Sequence, residues 1–361
     1  MKKQKSKKAQ SNLKPARNGK IDLLKFIFSM IVATYHFGNS VHYSNERFNK
    51  GYFAVEFFFI VSGYLFAKSL SKYDNKENIN IINESVAFMK KKYVTFFSPH
   101  IVLYIATMIC LVNYYKITLK ELFVKMLNSV PDFLLLHMFG VESIQWLGHE
   151  WYLSSMIIVM FILTPVMMKY RKQFSLYIAP VLSLLTLTAL VQKFGHLDTV
   201  KAWFGFAYSG LFRAFSEILI GCVCYAVAER GVIERINKKL LYVMEFLSYF
   251  LVIFYMTNDY SNKAELSLVY ILALGVMISF SNKTSLKYLN NKFVYFLGKL
   301  SLPVYLCHIG VRSYILKLQW AYGYTSYLAV FLLTVIAVSL VFMFVSDKTD
   351  LLFKKLQSKK Q

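Results

Sequence analysis

Two side chains in the first long apolar run have types suited to chemistry, Lys25 and His36 within IDLLKFIFSMIVATYHFGN. They stand eleven positions apart. At about 100° per residue that separation is three turns plus about 20°, so a helix places both on one face. Asp22 and Ser29 fall near the same stripe, with Leu23, Ile27 and Ile31 on an opposite side suited to lipid. Histidine changes charge near neutral pH and is the usual general base, so a polar stripe ending in His36 is a candidate site. The plainer alternative is a lysine that snorkels and a histidine at the interface.

Other runs add to the set. Glu56 opens the second run, VEFFFIVSGYLFAKS, near the end where His36 would emerge. A carboxylate beside a histidine fixes its tautomer and raises its basicity, as in acyl-transfer triads. Ser62 and Gly63 sit mid-run, and the alternative for them is a serine bonded to its own helix and a packing notch. In GHEWYLSSM, Trp151 and Tyr152 face a substrate or form an aromatic belt, while His149 and Glu150 add two titratable groups. Arg213 and Glu217 are four apart, the spacing of an ion pair on one helix. Tyr305 and His308 share a face in LGKLSLPVYLCHIGVRSY, as a functional pair or a hydrogen-bonded core pair. No nucleophilic Ser or Cys motif, metalloprotease motif, phosphate loop or dinucleotide fingerprint accompanies them, and no metal site is expected. Cys110, Cys222, Cys224 and Cys307 all lie in apolar runs and read as buried thiols.

The elements that must hold these residues are set by composition. The 361 residues are 57% apolar and only 17% charged, against roughly a quarter charged in an ordinary soluble domain. A soluble enzyme, a disordered chain and a disulfide scaffold are thereby excluded. A span needs roughly 20 apolar residues, and ten stretches qualify: 22–40, 53–71, 97–115, 151–168, 175–192, 207–228, 240–257, 265–281, 301–318 and 324–345. The expected fold is an all-α polytopic transmembrane bundle. The stretch 131–140 is too short to cross and predicts an interfacial or re-entrant helix. Of the 42 basic residues, 30 fall on the side of the N-terminus and 9 on the other, which places both termini in the cytoplasm. Residues 1–20 and 347–361 then read as basic tails around a membrane domain at 21–346. The formal charge of +23 is assigned to topology and anionic membrane lipids rather than to nucleic acid, whose motifs are absent.

With these residues in place, the chain resembles the acyltransferase-3 family of integral membrane acyltransferases from Ile21 to about Val345. Four features carry the resemblance. They are a basic residue, ten residues and a histidine (Lys25 to His36); an acidic residue before FFFIVSGYL (Glu56 to Leu65); a WYLS start to a span (Trp151 to Ser154); and LGKLSLPVYLCH with Tyr305 and His308. KKKYVTFFSP and GLFRAFSEILIG are similar to the family's basic cytoplasmic segment and its Arg-containing mid-chain helix. One departure is Lys25, where the family usually has Arg; lysine keeps the charge but loses the bidentate fork.

The resemblance implies an O-acyltransferase of the cell membrane, foremost an O-acetyltransferase. Its donor substrate would be cytoplasmic acyl-CoA, with no permanently bound cofactor, and its acceptor a hydroxyl on a surface glycan or lipid-linked precursor. Within that frame His36 is the expected base, Glu56 its orienting carboxylate and Arg213 the cation for developing negative charge. Lys25 with Lys90, Lys91 and Lys92 would attract the anionic CoA, and Ser62, Trp151, Tyr152, Tyr305 and His308 are candidate substrate contacts. The competing expectation is a non-catalytic transporter or flippase using the same stripe as a pathway.

Overall fold

The computed structural model describes residues 17–41, 48–74, 76, 78–115, 117–141, 148–258, 260–318 and 323–358. Its long helices are α1 (Gly19–Val41), α2 (Ala54–Leu70), α3 (Ile81–Tyr115), α4 (Leu119–Asn128), α5 (Trp151–Gln173), α6 (Ala179–Phe194), α7 (Ser209–Glu229), α8 (Lys238–Thr257), α9 (Glu265–Ser279), α10 (Lys292–Ile315) and α11 (Tyr324–Ser358). Polar caps set several starts: Asn18 accepts from Ile21 N at 3.2 Å, Asn291 from Val294 N at 3.0 Å, and Thr118 and Glu121 form a capping box on α4. The chain is an all-α, polytopic helical bundle and a multi-pass membrane protein.

Among the described residues nine stretches are long and apolar enough to cross a bilayer, one of them Trp151–Phe194 with 44 residues. A straight helix of that length would run about 66 Å, twice a hydrocarbon core of about 30 Å. It is a hairpin instead. Tyr170 leaves helical geometry (φ −128°, ψ 26°), and a π-turn at Phe174–Ile178 follows before α6. His149, before α5, and Asp198, after α6, line the same cavity, whereas Arg171 at the turn bonds Asp74 beyond the far end of α2. The stretch therefore crosses twice, and ten crossings result, as the sequence predicts.

Helices α1, α2 and α7 form the interior. The spanning windows of α2 and α7 are 72% and 67% buried, against 22% for α11. Two glycines let α2 and α7 touch: a Cβ at Gly63 would lie 2.1 Å from Ile218 O, and one at Gly221 2.2 Å from Ile60 O. Gly63 is the packing notch of the alternative reading. Ile31 corrects the lipid-side expectation for α1, since it is buried and only Ile27 of that face is exposed. Surrounded by α2 and α10, α1 has no full lipid face to offer.

Four further expectations change. Residues 131–140 form one helical turn, Val130–Phe133, and a 3₁₀ turn, His137–Phe139, with Leu135 at φ +54°. Leu135 and Met138 are buried, so this segment packs into the bundle instead of lying at the interface. Helix α11 continues through Ser358, so no break separates the membrane domain from residues 347–358. At the other end Lys20, expected in a tail, is buried in α1 and bonds Glu245 at 2.8 Å; residues 1–16 lie outside the described residues. Cys222, Cys224 and Cys307 are buried, but Cys110 is exposed on α3.

Candidate active site

A cavity of about 520 Å³ at one end of the bundle is lined by His36, His149, Trp151, Asp198, Lys201 and Arg312, with Val200 and Ile309. Five elements build it, with Trp151 coming from the start of α5. The last third of α1 supplies His36, the 3₁₀ turn Gly148–Glu150 supplies His149, the loop after α6 supplies Asp198 and Lys201, and α10 supplies Arg312.

Three imidazoles meet here. The rings of His36 and His308 stack at 5.2 Å between centroids, and His149 stands edge-on to His308 at 5.6 Å. Backbone carbonyls fix two of the tautomers. His149 Nε2 lies 3.0 Å from Leu306 O and His308 Nδ1 2.5 Å from Tyr305 O, so each of these nitrogens must donate and the other nitrogen of each ring carries the lone pair. His149 precedes its span, and burial pushes its imidazole down to about 4, so it is neutral at physiological pH. Among the described residues no hydrogen bond occupies the ring nitrogens of His36, and its ring opens on the cavity. An imidazole with a nitrogen unengaged among the described residues, beside a space for substrate, is the arrangement of a general base.

Arg312 supplies the charge. Its Nη1 donates to His36 O at 3.3 Å, which ties α10 to the base-bearing turn of α1. It forms no ion pair among the described residues, and Asp198, the carboxylate in the cavity, accepts instead from Tyr35 Oη at 2.9 Å. Among the described residues the guanidinium therefore has no carboxylate partner, and it stands next to His36.

The sequence-picked residues divide into four groups. His36 and Trp151 line the cavity. Ser62, Tyr152, Tyr305 and His308 lie under it as a hydrogen-bonded scaffold: Ser62 Oγ bonds Tyr152 Oη at 2.9 Å, and Tyr305 Oη donates to His149 O. Ser62 thus reaches across to α5 rather than bonding its own helix. Trp151 is no belt residue, being 8% exposed and stacked under Arg213, whose Cζ lies 5.4 Å from the ring centroid.

Glu56 and Arg213 correct the expected roles. Glu56 makes no described contact with His36; both its oxygens go to Arg213, through Nη2 and, at 3.1 Å, through Nε. Glu217 adds a second carboxylate at 3.6 Å from Nε. All three groups are fully buried, so Arg213 is neutralised where it stands and is not available to a substrate. The spacing-four pair of the sequence is real but secondary to a bond between α2 and α7.

Lys25, Lys90, Lys91 and Lys92 lie elsewhere. Lys25 faces Asp22 at 3.9 Å, about 16 Å along α1 from His36. Lys90 and Lys91 are exposed on α3, and Lys92 lies over Phe88 at 5.7 Å. No described contact joins that cluster to Lys25. Four polar cavity residues received no role from the sequence, His149 being named there only as a titratable group. His149 and Arg312 carried a usable signal, a titratable group beside Trp151 and a cation inside a span; Asp198 and Lys201, in a polar loop, carried none.

A family profile described as an acyltransferase domain (Acyl_transf_3) matches residues 18–345. Neither the curated proteins nor the solved structures provide a match.

Proposed function

We propose that this chain, which belongs to the acyltransferase-3 family, is an O-acetyltransferase of the plasma membrane. Acyltransferase activity follows from that membership; donor, acceptor and residue roles are our reading. The acetyl group comes from cytoplasmic acetyl-CoA and goes to a hydroxyl of a surface glycan or its lipid-linked precursor.

The observation that carries the reading is the cavity in which His36 stands beside the Arg312 guanidinium, which has no ion pair among the described residues. His36 takes the proton of the acceptor hydroxyl as its oxygen attacks the thioester carbonyl carbon. The C–O bond forms, the carbonyl oxygen becomes an anion, and the C–S bond then breaks as the imidazolium returns its proton to the departing sulfur. No enzyme-bound acyl intermediate is required. Arg312 meets the anion, the role that Arg213 cannot fill because Glu56 and Glu217 already hold it. With both termini inside, Lys25 lies at the cytoplasmic end of the same helix, and it and Lys90 to Lys92 attract the CoA phosphates.

The test is a comparison of surface glycans and their lipid-linked precursors from cells with and without the gene. Mass spectrometry should show an alkali-labile acetyl substituent that disappears with the gene and returns with the wild-type chain. Identical acylation in the two strains would sink this assignment.

A further inference from the structure

A second cavity, of about 670 Å³, lies between α3, α10 and α11 and shares His149 and Ile309 with the first. Its walls are Ala106 and Cys110 of α3, Gly310 and Tyr314 of α10, and Val338 and Phe342 of α11. All but Phe342 of these are exposed at the bundle's side, where the surroundings are bilayer. An apolar groove open to lipid and joined to a polar cavity by shared side chains is shaped for a molecule with one end of each kind.

We propose that this groove seats the hydrocarbon chain of a phosphate-linked lipid carrier whose saccharide end is the acyl acceptor. The inference rests on the acyltransferase reading above and selects the lipid-linked precursor from its two acceptor classes. Charge placement favours a phosphate at the Lys317 end of the groove, the end of α10 that also carries Arg312. Lys317 lines the groove at its end beyond α10, and Arg312 and Lys201 line the neighbouring cavity, against Asp198 as the one carboxylate of that wall. Along α10 the groove runs from Leu306 to Lys317, about 16 Å, or half the hydrocarbon core. A chain lying there with its phosphate at Lys317 lets the saccharide turn past Arg312 into the cavity of His36.

Gly310 offers a clean handle. A Cβ at this position meets nothing within 4 Å, so a larger side chain enters the groove without displacing backbone. The experiment uses the full-length protein in nanodiscs with farnesyl monophosphate carrying a photoreactive diazirine on its chain, with labelled peptides mapped by mass spectrometry. Label should concentrate on the α3, α10 and α11 residues named above. Unlabelled farnesyl monophosphate should displace it and phosphatidylglycerol should not. Gly310→Phe should reduce it about tenfold while Gly310→Ala, which leaves the groove open, keeps it. An unchanged thermal transition confirms that Gly310→Phe still folds. Label spread over all lipid-facing helices, equal displacement by phosphatidylglycerol, or indifference to Gly310→Phe would each overturn the seat. Ester formation is measured in parallel. Absence of groove labelling in the wild type with ester still formed on a water-soluble saccharide removes the lipid seat alone, whereas groove labelling with no ester formed by the wild type removes the acyltransferase reading of His36.

Discussion

His36→Ala lowers kcat/KM for acyl transfer by about 10²- to 10⁴-fold, the range for loss of a positioned general base, while membrane abundance stays near normal. Abundance is preserved because no hydrogen bond to the ring is present among the described residues; the loss is a stacking contact with His308 and an edge of Tyr35. His36→Gln keeps polarity and approximate size but has no basic nitrogen, so it should be as inactive as the alanine variant. Added imidazole should restore part of the alanine variant's rate by entering the vacated space. Steady-state kinetics in membranes checks all three. Activity within a few-fold of wild type for either variant would take His36 out of the mechanism.

Arg312→Gln and Arg213→Gln should fail in different ways, and the contrast separates a catalytic cation from a structural one. Removing a preorganised donor to a developing oxyanion costs about 10²- to 10³-fold in kcat. Arg312→Gln should show that loss with a normal thermal transition, since its described bond is one contact to His36 O. Arg312→Lys retains the charge and should recover part of the rate. Arg213→Gln instead leaves Glu56 and Glu217 buried without their counter-ion, a defect of about 3–5 kcal/mol, and should be depleted from the membrane or melt early. Replacing the cluster together, Glu56→Gln, Arg213→Gln and Glu217→Gln, should recover much of that stability. Thermal shift and kinetics on the same preparations decide the matter. A stable but inactive Arg213→Gln with an active Arg312→Gln would reverse the two assignments.

The bundle was legible because span length and charge asymmetry are properties of contiguous residues. Even the merged α5 and α6 were separable, since the stretches 151–168 and 175–192 are each long enough to cross. The face shared by Lys25 and His36 was also legible, being set by helical period. Partnership across helices was not. Glu56 carries no mark that its oxygens go to Arg213, 157 positions away, rather than to the histidine near its own end of the bundle. Arg312 fell among ordinary basic residues in a span, and only the approach of α10 to α1 places it at His36. Ile31 read as lipid-facing because an apolar side chain suits a bilayer and a helix interface equally well. Residues 131–140 misled for a related reason: a short apolar run too short to span suits an interface as well as a packed irregular turn, and its contact with Ser154 on α5 is invisible locally.

The proposed reaction joins an acetyl group from acetyl-CoA to an acceptor hydroxyl with His36 as base. The most direct measurement incubates the purified protein in liposomes with [1-¹⁴C]acetyl-CoA and glycolipids extracted from cells lacking the gene, and follows alkali-labile ester and free thiol together. The account predicts one ester formed for each thiol released by the wild type, and neither above background for His36→Ala. Glycolipid carried across the membrane with no ester formed, or ester formed equally well by His36→Ala, would contradict it.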